Sequence, residues 1–455
     1  MYLLEYIVSK LKLENFKGIE KLGIDFDKNI NVFIGENGSG KSSILYALAL
    51  ALSRFFGRIK SLEINGLLFT DDLIFQEADK ASIEVDMMLL KQKSSLDDKS
   101  KKTERIMSVG VSKKRGDKIQ FLSNINKIQK FATAFKNALE DEDNVTYSIP
   151  IAVYYNTNRN ALNVPLEPQN EDIFKRITAF DGAFNKKNYN DFLHFFEWYR
   201  NREDLENEKM REQGGDYRDS QLQAVRTAIE SMLPGFSDLK VKRGKPARML
   251  VSKKIMWDKS WDGDKTMDGN KTIELDITQL SDGEKCLLAM VGDIARRLAI
   301  ANPSNSEPLK GEGIILIDEI DLHLHPQWEA VIMERLHHIF PNCQFIVTTH
   351  SPLVVGSLPS SQIFQLSLNS EGKVQVAHPD FSKGLTANEV LSSIMKTPYQ
   401  DVKIQELYQK LYETIENGNW KRADELIAEL NKVNPNKSSE LKEAEAYLNL
   451  SRDDQ

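Results

Sequence analysis

The sequence predicts an α/β protein with a mixed β core, split by a mainly helical insertion and followed by a C-terminal α-helical tail. Three observations carry this. The stretch Gly35-Glu36-Asn37-Gly38-Ser39-Gly40-Lys41-Ser42 matches the pattern G-x-x-x-x-G-K-[ST] at every invariant position. The run Ile30–Ile34 before it reads as a short buried strand, and the Ala/Leu-rich run Ile44–Leu52 after it as a helix, which is the context this loop needs. Apolar strand-like runs then stand on both sides of a helix-rich middle, Pro150–Tyr155 before it and Gly313–Asp318 and Gln344–Thr349 after it.

Bulk properties bound the rest. A chain of 455 residues suggests about two to four structural units. Hydrophobic residues make up 41% and charged residues 28%, enough for a sizeable core. The net charge of −7 argues against global attraction to nucleic acid but allows a local basic patch. Cys286 and Cys343, the two cysteines, lack metal-ligand spacing, the profile of a reduced protein. The N-terminus lacks a basic leader, and no apolar run approaches about 18 residues. A soluble, cytoplasmic protein that does not cross a membrane is expected.

Taken in order, Val8 to Asn37 reads as three strands entering the glycine loop, with Lys17 in the first turn. Asp71–Gln76 leads into an alternating strand, Ser82–Met87. Lys91–Arg105 reads as an exposed loop, and Arg105–Val111 with Lys118–Leu122 as a hairpin turning at Arg115-Gly116-Asp117. These elements and Pro150–Tyr155, which runs on to Asn158-Arg159, make a first lobe over 1–155. The insertion follows over 156–270. In it Phe192, Phe195, Phe196 and Tyr199 share one helix face, as a core stripe or a base-stacking surface. Arg200–Glu212, dense in both charge signs, reads as an exposed helix, and Leu222, Val225, Ile229 and Met232 mark a second amphipathic one.

Between Phe236 and Lys259 stand eight cations (Lys240, Lys242, Arg243, Lys245, Arg248, Lys253, Lys254, Lys259) against Asp238 and Asp258. Lys240–Lys254 is the candidate DNA contact; the alternative is a solvated strand pair balancing acidic neighbours. A second α/β lobe, 271–395, starts with the alternating strand Thr272–Ile277. The tail, 396–455, carries apolar stripes Ile404–Ile415 and Trp420–Leu430, and a third over Leu441–Leu448.

The chemistry sits in separated pieces. Glycines let loop N–H groups close around phosphates, and the following helix adds its positive dipole end. Lys41 can meet the β/γ-phosphates and the Ser42 hydroxyl can join Mg²⁺. Asp318, at the carboxyl end of its strand, can hold Mg²⁺ directly or through water, and Glu319 is the candidate general base. In Leu280-Ser281-Asp282-Gly283-Glu284-Lys285, Ser281 opens a helix toward a γ-phosphate, although Ser281 and Glu284 also form a plain capping box. His350 follows an apolar strand directly.

In this order, GENGSGKS, LSDGEK, GIILIDEID and TTHSP resemble the ATP-binding-cassette (ABC-type) ATPases of the non-transport branch. More narrowly, NVFIGENGSGKSSIL, YYNTNR, FFEWYRNREDLENE, DEIDLHLHPQW and FPNCQFIVTTHSP look like the virulence-associated and overcoming-lysogenization-like group, most of all the ATPase subunits of Septu anti-phage systems. The resemblance implies a P-loop NTPase head of ABC type. Gly35, Glu36, Asn37, Gly38, Ser39, Gly40, Lys41, Ser42 and Ser43 would bind ATP, with Ser42 and Asp318 on Mg²⁺. Glu319 would be the base and His350 the switch histidine. Ser281, Asp282, Gly283 and Glu284 would cap the ATP of another subunit. One loop and one signature per chain then imply a head-to-tail homodimer. By the same resemblance Gln76 would be the glutamine that links Mg²⁺ to the insertion and Lys17 a nucleotide contact from the N-terminal turn. His323 and His325 form a His-x-His with a metal reading, and a structural role is favoured because they follow Glu319 in the segment that crosses the dimer interface in this family. Overcoming-lysogenization nucleases carry a metal-binding nuclease domain after the head. The tail here has no matching acidic cluster and the chain no His-Asn-His (HNH) pattern, so a separate HNH nuclease partner is expected. The alternatives are a stand-alone DNA-repair ATPase and a nucleotide-sensing scaffold.

Overall fold

In the computed structural model the glycine loop hangs from the middle of a six-stranded sheet. The residues described are 2–60, 66–93, 103–118, 120–140, 149–157, 175–184, 191–244, 247–256, 270–303, 305–397, 402–433 and 439–453. They form two compact units, Met1–Gly384 and Leu385–Gln455.

The first unit opens with β1 (Tyr2–Phe16), β2 (Ile19–Asp25), β3 (Ile30–Gly35) and α1 (Lys41–Lys60). Next come β4 (Lys80–Lys93), β5 (Thr103–Lys114), β6 (Phe121–Leu122), α2 (Ile125–Glu140) and β7 (Ile151–Tyr155). The insertion holds α3 (Asp191–Gln213), α4 (Ser220–Met232), β8 (Phe236–Lys242), β9 (Arg248–Met256) and β10 (Asn270–Asp276). After it follow α5 (Asp282–Ala301), β11 (Gly313–Ile317), α6 (Pro326–Glu329), α7 (Ile332–Ile339), β12 (Cys343–Thr348), α8 (Pro352–Gly356), β13 (Ile363–Leu368) and β14 (Val374–Ala377).

The central sheet runs β14-β13-β3-β12-β11-β7, parallel except for β14. Strands β7, β11 and β12 are buried along their whole length, as unbroken apolar runs in a parallel sheet must be. Strands from both sides of the insertion thus share one sheet, and the carboxyl ends of β3, β7, β11 and β12 gather along one edge. An antiparallel sheet, β2-β1-β4-β5-β6, lies beside it, and the insertion strands form a third, β10-β9-β8.

One side chain stitches the first two sheets together. Buried Gln344 of β12 accepts from the Val8 N–H (2.8 Å) and donates to the carbonyls of Val8 (2.9 Å) and Asp27 (2.8 Å). The contact falls where the β1–β4 register shifts between Val8 and Lys10. A bulge leaves backbone groups without ladder partners, and an amide side chain replaces both donor and acceptor.

Several expectations change. Helix α1 is longer than Ile44–Leu52, and its Lys41–Ile59 stretch is long and apolar enough to cross a membrane, contrary to the expected absence of such a run. It is 83% buried inside the protein, as a core helix is. Strands β4 and β5 extend into the loop expected over Lys91–Arg105, of which 94–102 lie outside the described residues. Helix α2 was not legible. The strand expected to open the second lobe pairs instead with β9, in the insertion's sheet.

The aromatic stripe on α3 is core. Phe195, Phe196, Trp198 and Tyr199 are buried, and a Cβ on Gly292 of α5 would stand 2.8 Å from the Phe195 ring. The Phe192 side chain lies outside the described residues. Helix α3 is exposed along only part of the charged stretch: Glu203 and Glu206 are buried, and Glu206 takes both arms of Arg226 at 3.1 and 2.9 Å.

Asp293 of α5 is also buried, held by Arg296 (2.6 Å), Arg297 (2.7 Å) and the Tyr155 hydroxyl (2.8 Å). Burial by itself would raise its carboxyl, but the two guanidinium groups bring it down to about 2.

The second unit contains α9 (Ala387–Glu389), α10 (Val402–Glu416), α11 (Trp420–Val433) and α12 (Ser439–Asp453). It has its own core, in which Tyr408, Leu411 and Ile415 meet Ala423, Leu426, Leu430, Leu441, Ala444 and Leu448. The three stripes read from the tail therefore pack on one another.

Two stability predictions follow from these contacts. Gln344→Leu strands the Val8 N–H and C=O, and urea unfolding should register a loss of about 2–4 kcal/mol. Asp293→Asn leaves two buried arginines short of a counter-ion and should lose about 3–5 kcal/mol at pH 7. A depressed carboxyl contributes fully above its unfolded value near 4 and loses that contribution as pH falls toward about 2. The gap between Asp293→Asn and wild type should therefore narrow over that acid window, and a constant gap would refute the assignment.

Candidate nucleotide site

The loop departs from β3 at Gly35, whose φ of +147° and crowded surroundings exclude a side chain. A Cβ there would stand 2.5 Å from the Leu366 carbonyl oxygen and 2.8 Å from Ser39 Oγ. Gly38 and Gly40 also take positive φ. Such a backbone turns N–H groups inward, and the first turn of α1 adds donors without intrahelical acceptors. Ser39 Oγ is buried in the loop with no hydrogen-bond partner. Lys41 is 6% exposed and donates to the carbonyls of Gly35 (2.7 Å) and Glu36 (2.9 Å). Burial lowers its ammonium from the ordinary lysine value, against the upward pull of Asp318, Glu319 and Asp321.

Asp318 follows β11, in the next-but-one strand from the loop. Its Oδ1 accepts from Ser42 Oγ (3.0 Å) and from Thr348 Oγ1 (2.7 Å). Thr348 Oγ1 in turn accepts from the Glu319 N–H (2.7 Å), and the Asp318 N–H donates to the Tyr155 carbonyl (2.8 Å). Glu319 sits at φ +52°, a left-handed conformation that non-glycine residues seldom hold. Its side chain is half-buried beside the loop cation, among the charges Lys41 senses. His350 is exposed just past β12, and its N–H reaches Asp321 Oδ1 (3.3 Å), which also accepts from Thr349 Oγ1 (2.6 Å). Thr348 was not legible as a site residue; the apolar strand ending in two threonines was the signal available.

Ser281 caps α5, with Glu284 closing a reciprocal capping box: Ser281 N–H to Glu284 Oε2 at 3.0 Å, Glu284 N–H to Ser281 Oγ at 3.4 Å. Glu284 Oε1 accepts from Lys253 of β9 at 2.6 Å. Burial works against the Glu284 charge, yet the Lys253 and Ser281 hydrogen bonds hold the carboxyl below its ordinary value. Gly283 packs so closely on the stretch after Asp318 that a Cβ would stand 2.5 Å from the His323 carbonyl oxygen. Asp282 points to solvent, 77% exposed. Among the described residues no hydrogen bond or ion pair joins Ser281–Glu284 to the Gly35–Ser43 loop.

Two expected nucleotide-site residues, Lys17 and Gln76, stand apart. Lys17 lies over the Tyr46 ring of α1 at 5.0 Å, and its N–H donates to the Leu73 carbonyl. Gln76 is exposed in the turn before β4, with no hydrogen bond to the loop or to Asp318. His325 caps α6, its Nδ1 accepting from the Gln327 N–H at 3.3 Å, and no group of metal-ligating side chains stands near the His-x-His pair or elsewhere among the described residues. The basic stretch is mostly paired: Lys240 with Asp238 (2.9 Å) and Glu274 (2.7 Å), Arg243 with Glu203 and Asp204, Arg248 with Asp276 (4.0 Å), Lys253 with Glu284. Lys242 and Lys254 remain exposed. Asn158, Arg159, Lys245 and Lys259 lie outside the described residues. The pairing favours the reading of strands balanced by acidic neighbours.

Residues 7–373 match the model of the RecF/RecN/SMC N-terminal domain. The chain belongs to this family. Its relatives include the Retron Ec83 probable ATPase of Escherichia coli, 29% identical over 90% of this chain and 79% of that protein. The Retron Vc95 probable ATPase of Vibrio cholerae is 31% identical over 78% of this chain and 72% of its own. The Septu protein PtuA of Bacillus mycoides is 33% identical over 31% of this chain and 20% of its own. The Septu likeness is thus present but spans a shorter stretch than the two retron proteins do.

For this RecF/RecN/SMC-family chain the donor set suits a nucleotide with a hard divalent cation. Ser42 Oγ already donates to the Asp318 carboxylate, and the loop itself holds the buried Ser39 hydroxyl with no hydrogen-bond partner. Gly283→Ala should disturb the turn it packs against: the His323 carbonyl belongs to backbone and cannot swing aside as a flexible side chain would. Proteolysis within 319–325 should speed up in this variant, and an unchanged cleavage rate would show that the contact relaxes without consequence.

Proposed function

We propose that this chain is an ABC-type ATPase that binds Mg²⁺-ATP, dimerises head to tail around it, and controls a separate HNH-type nuclease in an anti-phage defence complex. The observation that carries the nucleotide reading is the shared Asp318 oxygen. It draws Ser42 of the loop and Thr348 of the switch strand to one point at the sheet edge.

Each residue has a defined part. Loop N–H groups and Lys41 hold the phosphates, Lys41 leaving the two carbonyls it now occupies. Ser42 and Asp318 would hold Mg²⁺, which would supply positive charge against the phosphates. Glu319, whose charge acts on Lys41, takes a proton from the attacking water. His350 hydrogen-bonds the γ-phosphate. Ser281 and Gly283 are occupied with their own helix start and with His323 rather than with the loop of the same chain, which supports their use on a second copy. The dimer closed by ATP is the state the nuclease reads, because ATP contacts both halves only there. The retron and Septu names among the relatives support the defence setting. The internal pairing of Lys240, Arg243 and Lys253 removes support from the stand-alone DNA-binding alternative.

Glu319→Gln should lower turnover by about a hundredfold or more and accumulate an ATP-bound dimer in light scattering, while Lys41→Ala loses nucleotide affinity. Wild-type turnover in Glu319→Gln would remove it as base. The tagged chain, co-expressed with its genomic neighbours, should retain an HNH protein through purification. Its absence alongside normal ATP turnover would leave an ATPase of other purpose.

A further inference from the structure

The basic stretch of the insertion contains one residue whose contact is made with the signature itself. Lys253 stands in the middle strand of the β10-β9-β8 sheet, 31 residues before its partner Glu284. Its ammonium lies 2.6 Å from Glu284 Oε1 and 5.3 Å from the Phe236 ring, which faces it across the β8–β9 ladder. The side chain is held from two directions, and the carboxylate it meets is only 14% exposed.

A capping box does not need such a clamp. Elsewhere in the chain Thr386 and Glu389 build a capping box by local contacts alone. Glu389 is exposed, satisfied by Thr386 N–H (2.7 Å) and Oγ1 (2.8 Å), and has no lysine. Glu284 divides its two oxygens between Ser281 and Lys253. The second route from the sheet is the chain itself: β10 ends at Asp276, which caps the turn Ile277–Gln279 just before Ser281. Two adjacent strands of one sheet therefore meet the signature, while Gly283 rests on the His323 backbone from the other side. Any shift of the sheet tilts the turn that presents Ser281.

We propose that Lys253 is a positioning residue that locks the signature turn to the insertion sheet, so that the sheet's placement sets how Ser281 meets nucleotide. This rests on the reading that the signature completes a nucleotide site. Lys240, Arg248 and Lys253 thereby serve the insertion's own architecture, Lys240 and Arg248 pinning β10 through Glu274 and Asp276 as Lys253 pins Ser281–Glu284.

The test uses the full chain with Lys253→Met, Lys253→Arg and the exchanged pair Lys253→Glu/Glu284→Lys. Amide hydrogen exchange at 281–285 should quicken by about tenfold in Lys253→Met and stay near wild type in Lys253→Arg. Turnover should fall by about tenfold in Lys253→Met, with fluorescent-ATP affinity at the phosphate loop and melting temperature unchanged, and the exchanged pair should recover part of it. Unaltered exchange at 281–285 in Lys253→Met overturns the proposal. So does a loss that Lys253→Arg fails to rescue and that tracks melting temperature, because that is a structural role only. If the wild type neither turns over ATP nor dimerises with it, the nucleotide-switch reading falls, and the exchange measurement still decides whether Lys253 holds the turn.

Discussion

One carboxylate oxygen organises this molecule. Asp318 Oδ1 receives the hydroxyls of Ser42 and Thr348, residues brought by three different strands of the central sheet. The arrangement is possible because β3, β11 and β12 are parallel and in register, so their carboxyl ends reach one edge together. The Glu319 N–H then donates to Thr348 Oγ1, which holds a left-handed glutamate directly after the aspartate. Loss of the sheet register by one residue would turn these side chains to the opposite face and dissolve the cluster.

Charge placement follows the same economy of position. The chain is acidic overall, and four cations of its most basic segment, Lys240, Arg243, Arg248 and Lys253, are spent internally, on Glu203, Asp204, Asp238, Glu274, Asp276 and Glu284. Deeper, Asp293 faces Arg296, Arg297 and Tyr155, and the Tyr155 carbonyl receives the Asp318 N–H. The helix that begins at the signature is thus joined to the strand ends of the candidate site by a buried polar path as well as by packing. Partial removal of such a network leaves an uncompensated charge, so its members constrain one another strongly.

Local signals were enough for the glycine loop, the aspartate-glutamate pair at a strand end, the capped signature helix and the three apolar stripes of the tail. Each depends on neighbours within a few residues: apolar periodicity, glycine tolerance of positive φ, or an S-x-x-E spacing. The full length of helix α1 and the presence of helix α2 lacked an unambiguous local pattern. The aromatic face of α3 had two readings because periodicity reveals a stripe but not what covers it; Gly292 of α5 and the Leu239 carbonyl provide the cover.

By itself the sequence determined the order of the elements and the chemical type of each site residue, because backbone conformation at a glycine loop or helix cap is decided over a few bonds. Tertiary structure decided which residues share a site. Thr348 against Asp318, Gln344 against Val8, and Lys253 against Glu284 are separated by 30, 336 and 31 positions. No local pattern encodes such contacts; they arise when strands align and a buried polar group takes the partner that the sheet brings to it.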